Sequence, residues 1–197
     1  MKGILFKPWK IKAIAEDDGE WQTRRVIKPQ PCDDTTFIYA DGYCSLQAKN
    51  GYAPYAKSRY QVGEVVYIKE AWQVSIHYDR LSPSDLLAHP IVPVTYKYKP
   101  PFLLKGRWRS PLFMPEWAAR YFIKITDIRA ERLQKITEED AKAEGVSLLG
   151  YTTSMGRILG KDTYRYSFEQ LWDSINPKYP WAMNPWVFHY SFKKAKK

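Results

Sequence analysis

Val62-Gly63-Glu64-Val65-Val66-Tyr67-Ile68-Lys69-Glu70-Ala71-Trp72 is the stretch on which the fold turns. Val62-Gly63-Glu64 has turn composition, and the residues after it are β-branched, aromatic or alternating, which is the pattern of a strand over 65–72. Strand side chains point alternately to two faces. Val66, Ile68 and Glu70 therefore share one face, opposite Val65, Tyr67 and Lys69. That register sends the Glu70 carboxylate into an apolar interior, where a charge is rarely found without a partner.

Upstream of this strand, residues 30–60 are rich in Gly, Asp, Tyr and Pro without a sustained period, and read as a long loop or loose hairpin. Before them, 21–27 reads as a strand ended by Pro29 and Pro31, with Thr23, Arg25 and Ile27 on one face and Arg24 and Val26 on the other. The chain starts with a short strand over 3–6. Pro8 then opens a helix carrying Ile11, Ile14 and Ala15 on one face, halted near Asp18-Gly19.

Downstream, the proline-rich stretch 82–101 belongs to a second insertion, near 75–105, with at most a short strand at 94–98. Residues 120–133 alternate as a long strand. Thr137-Glu138-Glu139-Asp140 has the spacing of a helix N-cap, and Gly145 stands where a C-cap glycine belongs. Asp162 can cap a further helix with Phe168, Leu171, Trp172 and Ile175 on one stripe, stopped at Asn176-Pro177, and 186–192 forms a last strand. Strands dispersed among three short helices, without regular alternation, argue against a doubly wound parallel sheet. The expectation is an α+β chain: one domain over 1–197 built as a small mixed β-barrel, with short flanking helices and insertions near 30–60 and 75–105.

Composition bounds the function. Of 197 residues 45% are hydrophobic, with eight Trp and fifteen Tyr, enough apolar surface to fold rather than stay disordered. No apolar run approaches the roughly 20 residues of a membrane helix, and the first residues lack a signal-peptide core. Cys32 and Cys44 are the only cysteines, too few for a disulfide scaffold or for a zinc site by themselves. Reduced thiols in a cytoplasmic protein are expected. His77, His89 and His189 are scattered, and no glycine-rich phosphate loop occurs, so neither a metal nor a cofactor is expected. Thirty-one Lys and Arg against twenty-one Asp and Glu give +10. Such an excess attracts polyanions, with nucleic acid the natural partner; solubility alone is the other reading.

Several blocks together resemble the ASCH domain family of the PUA-like superfamily, in its long phage and prophage forms. They are Ile4-Leu5-Phe6-Lys7-Pro8, Gln22-Thr23-Arg24-Arg25-Val26-Ile27-Lys28-Pro29, the 62–72 stretch, Arg109-Ser110-Pro111-Leu112-Phe113-Met114-Pro115, 136–145, and Asn184-Pro185-Trp186-Val187-Phe188. The resemblance implies a closed barrel with a cleft beside it and an association with RNA, in the host cytoplasm if the chain is phage-encoded. Some small members resemble amidohydrolases that act on N-acylated cytidine, and ribonuclease activity occurs in others. Carried over residue by residue, the hydrolytic site falls on Thr23, Arg25 and Glu144. The family's Lys, three positions before the Thr, is Glu20 here, which inverts the charge and removes the amine that would activate the hydroxyl. A local shift bringing Lys12 nearby is the alternative.

Glu144 lies at the end of its helix, where the dipole disfavours an anion. That pressure suits a general acid or a ligand reader, and a solvated Glu in a charged run is the plainer reading. Arg25 and Glu70 form either a buried structural pair, with Arg25→Ala then more damaging than Arg24→Ala, or a ligand-binding pair at the cleft. The stretch from Lys97 to Arg109 interleaves cations and aromatics. Lys97, Lys99, Lys105, Arg107, Trp108 and Arg109, with Arg24 and Lys69, are the residues expected to track a phosphate backbone; Trp108 as core and Arg109 as a strand anchor are the structural alternatives. The reading is a module that binds nucleic acid, RNA before DNA, or a modified base or nucleoside. An N-acylcytidine amidohydrolase or ribonuclease, and more remotely a phage protein that binds a host protein, stand as alternatives.

Overall fold

The computed structural model describes residues 1–31, 35–48, 56–88, 92–98, 100, 105–148 and 163–196. In chain order these form β1 (Gly3–Leu5), α1 (Pro8–Glu16), β2 (Glu20–Val26), β3 (Thr35–Ala40), β4 (Tyr43–Ala48), β5 (Val65–Lys69), β6 (Trp72–Gln73), β7 (Thr95–Tyr96), β8 (Phe122–Arg132), α2 (Glu138–Ala143), α3 (Tyr164–Ile175) and β9 (Trp186–Ala195), joined in places by single 3-10 turns. Among the described residues no helix is long and apolar enough to cross a membrane.

Five strands hydrogen-bond in the order β1-β5-β8-β9-β2, while β3-β4 and β6-β7 make two smaller sheets. β1 runs parallel to β5 with Ile4 opposite Ile68, and β2 runs antiparallel to β9 with Thr23 opposite Tyr190 and Arg24 opposite His189. The chain is thus α+β with a mixed sheet, and the expected closed barrel is not formed. β1 and β2 remain as edges. β1 is only three residues long, and α2 packs on the Arg24 face of β2, where Asp140 accepts a hydrogen bond from Arg24. A short edge strand offers little for further pairing.

The chain divides into two compact units, one formed by Met1–Asp18, Val65–Ile123 and Lys194–Lys197, the other by Gly19–Glu64 and Lys124–Lys193. In the first unit α1 starts at Pro8 and buries Ile11 and Ile14. β5 follows the expected register, with Val66 and Ile68 buried and Glu70 at 3% exposure. A core of Trp72, Val74, Leu86, Tyr96, Met114 and Ala118 forms around the β6-β7 pair, with Trp117 edge-on to Trp72 at 5.9 Å.

In the second unit the stretch read as a loop or loose hairpin is a regular antiparallel hairpin, with Ala40 opposite Tyr43. Asp41 and Gly42 make its turn at φ 51° and 74°, the doubly positive conformation that matches strand twist and that Asp-Gly favours. α2 carries the predicted cap: Thr137 Oγ1 accepts from the Asp140 N–H at 3.1 Å while the Asp140 carboxylate accepts from the Thr137 N–H at 3.4 Å, and Gly145 follows at φ 79°. α3 is capped by Thr163, whose Oγ1 accepts from the Tyr166 N–H at 3.1 Å; Asp162 lies outside the described residues. Phe168 and Trp172 face the core. Ile175 does not, at 42% exposure.

Candidate functional site

In the second unit, the β2 face expected to point outward carries an enclosed ion. Arg24 has no exposed side-chain surface. Its Nε donates to Glu131 Oε1 at 2.8 Å, Nη2 to Asp140 Oδ2 at 3.0 Å, and Nη1 to Glu144 Oε1 and Gln22 Oε1, each at 3.3 Å. Arg129 extends the network, with Nε 2.9 Å from Glu131 Oε2 and its Nη atoms 3.6 Å from Asp140 and Asp127. Burial alone would raise the Asp140 pKa. The Gln22 amide, the Arg24 charge, the Thr137 N–H and Arg129 outweigh it and hold the carboxyl below its usual value.

This corrects the expected facing. Arg24 is the structural ion, not an outward phosphate contact, and Arg25 is exposed. Alternation places Arg24 and Arg25 on opposite faces but does not say which face is covered; here β8 and α2 supply carboxylates to the Arg24 side, and such pairing is what makes a buried guanidinium tolerable.

Arg25 is open to solvent, yet desolvation lowers its pKa, opposed first by Glu144 and then by Tyr60 and Tyr190, while Arg59 pushes the same way as burial. The Arg25 side chain thus keeps solvent-exposed surface while its surroundings strip part of its hydration. Tyr60 and Tyr190 pack edge-on at 5.4 Å, and the Tyr190 hydroxyl accepts from the Arg59 N–H at 3.1 Å. Thr23, across from Tyr190 on β9, is buried at 5% exposure. Glu144, the C-cap of α2, is equally buried. The structure therefore brings Glu144 to both arginines. Glu20 is engaged elsewhere: it accepts from Thr126 Oγ1 at 3.0 Å and lies 3.7 Å from Lys193 Nζ. Lys12 is an exposed residue of α1, in the first unit.

In the first unit, the buried Glu70 carboxylate is taken by Arg120 rather than by Arg25. Arg120 Nε and Nη2 donate to its two oxygens, each at 2.8 Å. This is the forked geometry for which a guanidinium is suited, and Arg120 immediately precedes Tyr121 and β8, within the same unit. Burial pushes the Glu70 carboxyl up and Arg120 opposes it. Arg120 also stacks 4.1 Å from the Tyr96 ring. The Tyr96 phenol is pushed up to about 12 by burial and by Glu70.

The cation-rich stretch divides by role. Arg109 is an anchor: at 8% exposure, it donates to the carbonyls of Leu81 and Tyr78 at 2.9 and 2.8 Å and lies 5.3 Å from the Trp72 ring. Lys69 is likewise engaged, donating to the Leu112 carbonyl at 2.8 Å. Lys97, Lys105, Arg107 and Trp108 are exposed, and Lys99 lies outside the described residues. Pro83, Arg107, Trp108, Arg109, Ser110 and Phe113 line an open cleft of about 280 Å³. Trp108 is 50% and Phe113 67% exposed, so Trp108 is not core. The exposure of Phe113 had no sequence signal, since Pro111-Leu112-Phe113 reads equally well as core.

Charge is unevenly divided. The first unit holds fifteen Lys and Arg against seven Asp and Glu, a net +8, and the second sixteen against fourteen, a net +2. Among the described residues no group of three or more His, Cys, Asp and Glu side chains is arranged to hold a metal ion. No protein-family model, curated protein or solved structure matches this chain.

Proposed function

We propose that the chain is a nucleic-acid-binding module of PUA-like type, holding RNA or a modified base. The observation that carries this reading is the concentration of charge: the first unit holds +8 of the +10, next to exposed aromatics, the combination that follows a phosphate backbone. The exposed Arg25, with Glu144, Tyr60 and Tyr190 in its electrostatic surroundings, supports a second contact, to a base edge. Of these, Arg25 and Glu144 are positions onto which the family resemblance carries a site. Hydrolysis draws less support, because Thr23 is buried, Glu144 accepts from Arg24 and Glu20 is held by Thr126.

The test is fluorescence anisotropy with single-stranded RNA and DNA at two salt concentrations. Affinity falling steeply with salt is expected, since bound cations displace condensed counterions. Absence of binding near physiological ionic strength, or binding indifferent to salt, refutes the proposal.

A further inference from the structure

We infer that the first-unit cleft at Trp108 is a single-strand site, which stacks an unpaired base on Trp108 and Phe113 while Arg107 meets the neighbouring phosphate. This rests on the nucleic-acid reading and narrows it to one class of partner, at residues of the first unit rather than at Arg25 of the second.

The backbone on both sides of Trp108 is pinned. The carbonyl of Gly106 accepts from the Gln73 amide, and a Cβ on Gly106 would lie 1.9 Å from the Val74 carbonyl oxygen, so only glycine allows this approach. The Arg107 N–H donates to both carboxylate oxygens of Asp79 at 3.0 Å. Arg109 exchanges backbone hydrogen bonds with Trp72, donating at 2.8 Å and accepting at 3.4 Å. Beyond it, Ser110 caps the turn that carries Phe113, its hydroxyl accepting from the Leu112 N–H at 3.3 Å. Two large aromatics are thus held in water by a frame that gives them little freedom to fold inward. Aromatic surface held open beside a cation is what a base needs to stack on, and an ordered platform loses little entropy when a ligand arrives.

The chemistry of the rim selects the ligand. Arg107 and the buried Arg109 place like charges beside one cleft, and Arg107 adds to the desolvation that lowers Arg109; an anion between them relieves that repulsion. A protein partner would need a large complementary apolar face, whereas the cleft is small and sits in a unit of net +8. A duplex hides its base faces in the stack, so aromatic stacking favours unpaired bases.

The experiment measures affinity for a labelled single-stranded oligonucleotide and for the blunt duplex of the same sequence. The proteins are wild type, Trp108→Ala, Trp108→Phe and Arg107→Ala, each checked for an unchanged melting temperature. Wild type should prefer the single strand. Trp108→Ala should weaken single-strand binding roughly five- to 150-fold, and Trp108→Phe should restore most of it, because a ring suffices for stacking. Unchanged single-strand affinity in Trp108→Ala, or a wild-type preference for duplex, removes this site and leaves the general proposal standing. If wild type binds neither form, both fall.

Discussion

In the second unit Arg24 and Arg129 are set among the carboxylates of Glu131, Asp140, Glu144 and Asp127, and positive and negative residues nearly balance. In the first unit the balance is +8, and Arg107 and Trp108 at its cleft face solvent. The same residue type is thus used in opposite ways. A guanidinium with carboxylates or carbonyls fixed around it, as at Arg24, Arg109 and Arg120, belongs to the fold; one exposed beside aromatics, as at Arg107, is available to an outside anion. Arginine count separates neither case. The geometry of the acceptors does.

The largest expected effect is on stability. Arg24→Ala leaves three buried or half-buried carboxylates facing one another and should cost about 3–5 kcal/mol, the usual penalty for removing one partner of a buried pair. Urea unfolding measures it, and a loss below about 1 kcal/mol would show that the network is dispensable.

Next comes the acid limb. Asp140 titrates below its unfolded value of about 3.9, so its contribution is fully present above that pH and is lost as pH falls through the lower folded value. Wild type should lose stability below about pH 4 more steeply than Asp140→Asn, which has no such carboxyl to protonate. Parallel acid limbs would break the assignment.

A smaller effect sharpens the other side of the comparison. Arg107→Ala should leave the melting temperature unchanged and reduce the salt slope of single-strand binding by about 0.7, the share of one phosphate contact; an unchanged slope places the phosphate elsewhere. Smallest of all, Arg25→Ala should change stability by no more than about 0.5 kcal/mol, as for an exposed residue. A loss rivalling that of Arg24→Ala would restore the facing read from the sequence.

Local signals were legible where one residue decides the local geometry. Pro8, Thr137 with Asp140, and Gly145 marked helix ends correctly, and the alternation of Val66, Ile68 and Glu70 placed a carboxylate inside. The Asp41-Gly42 turn carried an equally clear hairpin signal that the surrounding polar composition obscured. Long-range choices were not legible. Glu70 required a cation, but nothing in its own strand distinguishes Arg120, 50 residues on, from Arg25. For β2, a two-residue period separates the faces of Arg24 and Arg25, but the cover on the Arg24 face comes from β8 and α2, more than 100 residues away. The barrel expectation failed for a related reason: strand pattern marks where a chain is extended, whereas closure depends on whether the end strands meet.

One atom ties two scales of the second unit together. Asp140 Oδ2 accepts from the Thr137 N–H at 3.4 Å, which starts α2, and from Arg24 at 3.0 Å, which seats β2. α2 has six residues, far too few to persist as an isolated helix in water. The helix and the strand segment it packs on must therefore appear and disappear as a single cooperative element. In amide exchange, the hydrogens of α2 and of the Arg24 segment should become labile together, at one common opening free energy.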